Sequence, residues 1–272
     1  MGHWDGMLAF QRNGLALRMA ASAADLHAAQ RLRYQVFYEE CGAKPCEMNA
    51  SLRRDQDCFD DSCDHLLVIE QGREVDDGTA LADGRVIGTY RLLRQEVAVS
   101  NDGFYSHSEF DIAPLLARHS ELRFLELGRS CVAQGFRGKP VMELLWQGIW
   151  NYVRIHRMDV MFGCASLEGT NPESLSNELA FIAASRPTPA EWRVAALPDN
   201  RVAMGMLPLS TRDQREVLRG LPTLVKAYMR LGCYFGDGAV IDRQFNTTDI
   251  LIVLPVSEIN PRYFSHYGAP VS

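Results

Sequence analysis

The chain has 272 residues, 47% hydrophobic and 23% charged, which is enough apolar surface for a substantial core and excludes a fibrous or disordered protein. A net charge of -6 argues against a nucleic-acid binder, whose affinity comes from clustered cations on phosphates. The longest apolar run, Ile250 to Val256, is strand-sized and well below the roughly 18 to 20 residues of a membrane span.

The segment from Met1 to Gln11 lacks the basic start and apolar centre of a signal peptide, so the expected location is the cytoplasm. Leu15, Leu17 and Met19 alternate with Ala16, Arg18 and Ala20 and predict a first strand. Ser22 and Asp25 form a capping box that opens a helix running to about Glu40 and stopping at Gly42. From Ala43 to Asp64 the chain is a polar loop in which Asp55, Asp57, Asp60, Asp61 and Asp64 surround Phe59. Strands follow at His65 to Glu70 and Arg85 to Leu93, joined by a Gly- and Asp-rich turn. The seven cysteines are scattered and odd in number, which fits reduced thiols. Cys41, Cys46, Cys58 and Cys63 form two widely spaced pairs. A zinc-stapled interaction module is the weaker reading of them, because the tight two-residue spacing of zinc knuckles is missing, and no metal is expected.

A short helix is predicted near Phe110 to Arg118, a strand over Phe124 to Val132, and a tight basic turn over Gln134 to Pro140. The next helix has the clearest pattern: Val141, Leu144, Leu145, Gly148, Ile149, Tyr152, Val153 and His156 recur at three and four residues and define a buried stripe. Val160 to Ala165 is an apolar run that predicts an interior strand, and Asn171 with Pro172 predicts the start of another helix. Pro187, Pro189, Pro198 and Pro208 mark a long ordered excursion, a candidate lid. Helices at Thr211 to Arg219 and Pro222 to Leu231, the second closed by Gly232, precede strands at Ala239 to Ile241 and Asp249 to Val256. The expectation is a single α/β domain over residues 1–272 with a long insertion at about 186–221.

This order of elements resembles the GNAT acyltransferase fold, a central mixed sheet flanked by helices. Arg137, Gly138 and Lys139 lie between a strand and a helix, where GNAT enzymes hold the donor's phosphate on exposed N–H groups. The segment Tyr228 to Cys233 (YMRLGC) is similar to the GNAT passage from the last helix into the final hairpin. The usual loop has two further glycines where this chain has Pro140 and Met142; proline lacks an N–H and methionine adds bulk, so a donor with a single phosphate is expected.

A more specific resemblance covers most of the chain. Arg31 to Glu40 (RLRYQVFYEE), the acidic segment around Asp57, Phe59 and Asp60, Gly88 to Leu93 (GTYRLL) and Glu126 to Val132 (ELGRSCV) resemble the N-acyltransferases of ornithine-lipid synthesis. So do Met161 to Ser166 (MFGCAS), Leu221 to Gly232 (LPTLVKAYMRLG) and Asp242 to Asp249 (DRQFNTTD). A looser similarity to acyl-homoserine-lactone synthases lies in the same early Arg, Phe, Asp, Arg and Glu positions. The resemblance implies transfer of a 3-hydroxyacyl chain to the α-amino group of ornithine. The donor would be the phosphopantetheine thioester of acyl carrier protein as co-substrate, with no separate cofactor. Transient contact with the inner membrane surface is expected from the amphiphilic product. A coenzyme A-dependent enzyme acting on another amine and an autoinducer synthase remain alternative readings.

Glu126 is the candidate base, with a structural ion pair to Arg129 or Arg91 as the other reading; Arg129, Arg91 and Asp60 complete the catalytic candidates. Strict alternation puts Glu126 and Arg129 on opposite strand faces unless a bulge at Gly128 reverses the phase and turns an N–H toward the thioester carbonyl. Cys131 and Val132, with Arg137, Gly138 and Lys139, are the expected donor-binding residues. Arg33 and Asp57 are expected to bind the substrate as part of a charge network over the site. Asp242, Asn246, Thr247 and Asp249 are candidates for the acceptor's distal ammonium or for simple turn chemistry. Trp146, Ile149, Trp150 and Phe162 are groove or core residues for an acyl chain whose burial is worth about 0.8 kcal/mol per methylene. Cys164 should be an unreactive thiol, His65 a loop-edge and His156 a core histidine. Arg137, Lys139, Arg154 and Arg157 form a basic face for an acidic carrier, or a solvated helix face.

Overall fold

The computed structural model describes residues 10–72, 77–205, 210–260 and 263. In chain order the strands are β1 (Phe10–Arg12), β2 (Leu15–Met19), β3 (Asp64–Glu70), β4 (Ala80–Leu81), β5 (Gly84–Arg94), β6 (Phe124–Val132), β7 (Val160–Glu168), β8 (Arg201–Val202), β9 (Tyr234–Asp242) and β10 (Thr247–Pro255). The helices are α1 (Ala23–Tyr34), α2 (Glu47–Leu52), α3 (Gln95–Val99), α4 (Ala113–Arg118), α5 (Lys139–His156), α6 (Ser176–Ser185), α7 (Thr211–Gly220) and α8 (Thr223–Leu231). Among the described residues, one compact unit comprises 10–102 and 127–157 and a second comprises 103–126 and 158–263.

In the first unit β1, β2, β3 and β5 pair antiparallel in that order, and the Leu127–Val132 part of β6 follows β5. The capping box starts α1 as its residues dictate: Ser22 Oγ accepts the Asp25 N–H, and the Asp25 carboxylate accepts the Ser22 N–H. Beyond Tyr34 the helix widens into a π-helical turn to Glu40, and the chain leaves it through Gly42 at φ 75°. Ala28, Ala29, Leu32 and Val36 pack with Leu67, Ile69 and Val86 on one sheet face. On α5, every residue of the predicted stripe is buried, from Val141 to His156. A Cβ on Gly148 would lie 2.6 Å from Leu66 Cδ2 and 3.2 Å from Leu17 Cδ1, and one on Gly88 would lie 3.0 Å from Val141 Cγ1. The missing side chains let α5 approach the sheet.

The second unit contains the Phe124–Glu126 part of β6, then β7, β10, β9 and β8. β6 and β7 run parallel, and β7, β10, β9 and β8 pair antiparallel. Phe104 meets Phe162 edge-on at 4.9 Å, and Phe124 meets it at 6.1 Å. The proline-rich excursion does not hang free where it is described. The Asp237 N–H donates to Val194 O and the Ala196 N–H to Asp237 O, so residues 194–202 line the edge of β9. Pro208, also counted in the candidate lid, lies outside the described residues. α6 corrects an expectation: it begins at Ser176, and Asn171 instead accepts the Glu173 N–H in a preceding turn. Asn-Pro serves a turn as readily as a cap, and the helix waits for the residues after it. Among the described residues, no helix is long and apolar enough to cross a membrane.

Gly148→Val should lower stability by about 2 kcal/mol or more, since a branched side chain must be forced between Leu66 and Leu17. Urea unfolding measures this; an unchanged midpoint would show that the helix can lift away without cost.

Candidate active site

In the first unit, α1 turns Arg33 inward until it is 1% exposed. Its Nε donates to Asp55 Oδ2 at 2.7 Å, and its terminal nitrogens reach the two oxygens of Asp60 at 2.8 and 2.9 Å. Arg91, on β5, donates to Asp57 at 2.6 Å and Asp60 at 3.2 Å, and Arg129 donates to Asp57 at 3.0 Å. Five residues singled out in the sequence, Arg33, Asp57, Asp60, Arg91 and Arg129, therefore converge. Asp55, Tyr38 and His65 complete the group. His65 is not the expected loop-edge residue: it lies on β3 directly opposite Arg91, is buried, and shares a hydrogen bond with the Asp60 carbonyl at 3.0 Å. Burial lowers its pKa, so the imidazole is neutral.

Burial pushes the carboxyls of Asp55 and Asp60 up, but Arg33, aided by Arg129 at Asp55 and Arg91 at Asp60, more than reverses this, and both sit below the usual range. Their ionised contribution to stability is complete above about pH 4 and fades as the pH falls through those lowered values. The network joins α1, the acidic loop, β5 and β6.

The irregularity in β6 lies beside Gly128. Arg129 carries the left-handed backbone, at φ 50°. The guanidinium's contacts with Asp57 and Asp55 hold a residue that would otherwise avoid this conformation. At the end of β6, Cys131 and Val132 are buried, and burial pushes the Cys131 thiol far up, so these two positions offer backbone groups rather than reactive side chains. Arg137 Nε donates to Val132 O at 3.1 Å and its guanidinium pairs with Glu40. Gly138 caps α5, and its own N–H is already given to Phe136 O at 2.6 Å. With Pro140 in the first turn, few N–H groups remain for an anion. Arg157 is exposed, whereas Arg154 buries its Nε; the side chain of Lys139 lies outside what is described.

The second unit gathers a different set. Parallel pairing puts Glu126 opposite Phe162; alternation along β7 carries that face to Cys164 and Ser166, and pairing across β10 and β9 adds Asp249, Thr247 and Asp242. The turn at Tyr105–Ser108 supplies the donors for Glu126. Tyr105 N–H reaches one carboxylate oxygen at 2.8 Å, and Ser106 N–H and Oγ reach the other at 2.8 and 2.6 Å. Ser106 Oγ lies 3.5 Å from Cys164 Sγ, and that thiol donates to Glu109 at 3.2 Å. Burial, followed by the charges of Glu109 and Asp249, raises the Cys164 pKa well above its ordinary value, so the thiol is no nucleophile, as its strand setting predicts.

Carboxylate oxygens of Glu109, Asp242 and Asp249 lie within 4.8 Å of one another, the one group of three metal-capable side chains found among the described residues. Hard oxygen donors in this number suit a cation, whether an ammonium or a divalent ion. Thr247 Oγ1 donates to Asp249 at 2.8 Å. Asn246 is an exposed turn residue with left-handed backbone at φ 58°. Ser106 and Glu109 were missed by the sequence reading, because the irregular stretch that carries them has no periodicity.

Arg33→Met strands two buried carboxylates and should destabilise the fold by about 3 to 5 kcal/mol. The wild-type melting temperature should also drop on acidification below about pH 4. A loss under about 1 kcal/mol in the variant would mean that the network is not held as described.

The Acetyltransferase (GNAT) domain model matches residues 32–147. The L-ornithine N(alpha)-acyltransferase of Agrobacterium fabrum is 48% identical over 93% of this chain and 85% of its own length. That of Rhizobium meliloti is 47% identical over 94% and 84%. The crystal structure of the AHL synthase LasI aligns with 95% of this chain and 97% of its own at 13% identity and a TM-score of 0.46. The GNAT match and the extent of identity with these curated relatives establish that the chain is an acyltransferase and belongs to the L-ornithine N(alpha)-acyltransferase family.

Proposed function

We propose that the chain transfers a 3-hydroxyacyl group from the phosphopantetheine thioester of acyl carrier protein to the α-amino group of L-ornithine, giving lyso-ornithine lipid. The acceptor follows the names of the relatives. The observation that carries the mechanism is Glu126, a buried carboxylate fixed at both oxygens, on the same sheet face as Asp242 and Asp249.

An α-amino group with a pKa near ~8 is mostly protonated at neutral pH and cannot attack a thioester until it loses a proton. Glu126 removes it, a role that contributes on the order of 10²- to 10⁴-fold. The donors from Tyr105 and Ser106 fix the carboxylate so that no reorganisation is needed at the moment of transfer. Ornithine carries a second ammonium. Asp242 and Asp249 receive it, with Thr247 holding Asp249 in place. In the first unit, the Arg137 to Lys139 turn holds the donor's phosphate. Support for a phosphopantetheine donor comes from the few N–H groups left at the start of α5, which suit one phosphate better than a pyrophosphate.

Mass spectrometry of lipids from cells expressing the chain should reveal an amide-linked 3-hydroxy-fatty ornithine, and Glu126→Gln should reduce it by about 100-fold or more. Full activity in that variant would remove Glu126 from the mechanism. Turnover of coenzyme A esters with an inert acyl carrier protein would remove the carrier instead.

Reversing Arg137 and Lys139 to Glu should weaken carrier affinity, with the deficit largest at low salt. Binding that is unchanged at every ionic strength would rule out this turn as the carrier's basic contact.

A further inference from the structure

The Cys164 thiol, and the contact that the Ser106 hydroxyl makes with it, have no task in the acyl-transfer steps above. Thiol and hydroxyl lie between two acids. Ser106 Oγ is 2.6 Å from Glu126 Oε1 and 3.5 Å from Cys164 Sγ, and Cys164 Sγ is 3.2 Å from Glu109 Oε2. Every gap in this line is short enough for a proton to cross, and each intermediate atom is both donor and acceptor. Glu126 and Cys164 sit on one sheet face, while Ser106 belongs to the Tyr105–Ser108 turn and Glu109 directly follows it.

We propose that Ser106 and Cys164 form a proton relay that carries the acceptor's proton from Glu126 to Glu109. The proposal rests on the reading of Glu126 as the base. The stoichiometry calls for such an exit: an acceptor entering as an ammonium loses two protons when its amide forms. One goes to the departing thiolate as the C–S bond breaks and the C–N bond forms. The other passes from nitrogen to Glu126, from Glu126 to Ser106 Oγ as the hydroxyl proton moves to Cys164 Sγ, and from that thiol to Glu109. No electrons change hands, and Glu126 is returned ionised. Glu109 shares its position with Asp242 and Asp249, and a proton placed among three neighbouring carboxylates lowers their mutual repulsion. A thiol held protonated suits a relay and is useless as a nucleophile.

The relay residues act through Glu126 and are positioning residues. The test is steady-state kinetics of the full chain with L-ornithine and 3-hydroxyacyl carrier protein, with melting temperatures recorded beside it. Cys164→Ala interrupts the line and should lower kcat about 10- to 100-fold while KM for ornithine stays within about 2-fold; Glu109→Gln should lower kcat similarly. Cys164→Ser keeps a group that both donates and accepts, and should recover kcat to within about 5-fold of wild type. A Cys164→Ala enzyme at wild-type kcat overturns the relay. So does a Cys164→Ser enzyme as impaired as the alanine variant with an unchanged melting temperature, because packing rather than proton transfer would then be at stake. If Glu126→Gln is impaired and Cys164→Ala is not, the relay alone fails; if Glu126→Gln is fully active, the base reading fails with it.

Discussion

A carboxylate taken out of water must be matched by cations or by hydrogen-bond donors, and this constraint organises both units. In the first, Asp55 and Asp60 are matched by Arg33, Arg91 and Arg129, and the acidic loop between α2 and β3 is thereby tied to α1 and the sheet. In the second, Glu126 is matched by two backbone N–H groups and a hydroxyl. The difference in partners separates their chemistry. Arginine pairing makes a carboxylate a poor proton acceptor and a good tether, whereas the donors from Tyr105 and Ser106 hold Glu126 in one orientation.

The remaining acids follow the same logic to a different end. Glu109, Asp242 and Asp249 crowd together on one face, where their repulsion is relieved by a proton or a cation. An acceptor with a second ammonium supplies such a cation as part of binding. The two properties required of this face, recognition of a cationic side chain and removal of a proton, are then served by residues two and three strands apart.

Much of this was legible in the sequence because it depends on local periodicity. The α5 stripe from Val141 to His156, the extent of β6 and the Ser22–Asp25 capping box all follow from spacing within one element. Arg33, Asp57, Asp60, Arg91 and Arg129 were marked by motif resemblance, and their convergence needed only that α1 cover β5. What escaped depends on long-range placement. Ser106 and Glu109 act through a turn with no repeat, and His65 joins a charged network only because the β3/β5 register sets it opposite Arg91. A bulge at Gly128 was expected from the phase of the strand, and the left-handed residue is its neighbour Arg129, which pairs with Asp57. Asn171 and Pro172 looked like a helix start, and a turn satisfied them first.

The most direct test compares calorimetric binding of L-ornithine with that of L-norleucine, in which a methyl replaces the distal ammonium, on the wild-type chain and on Asp249→Asn. If the grouped carboxylates receive that ammonium, ornithine binds at least about 10-fold more tightly to the wild type, and the difference largely disappears in the variant. Equal affinity of the two amino acids for the wild-type chain would contradict the account.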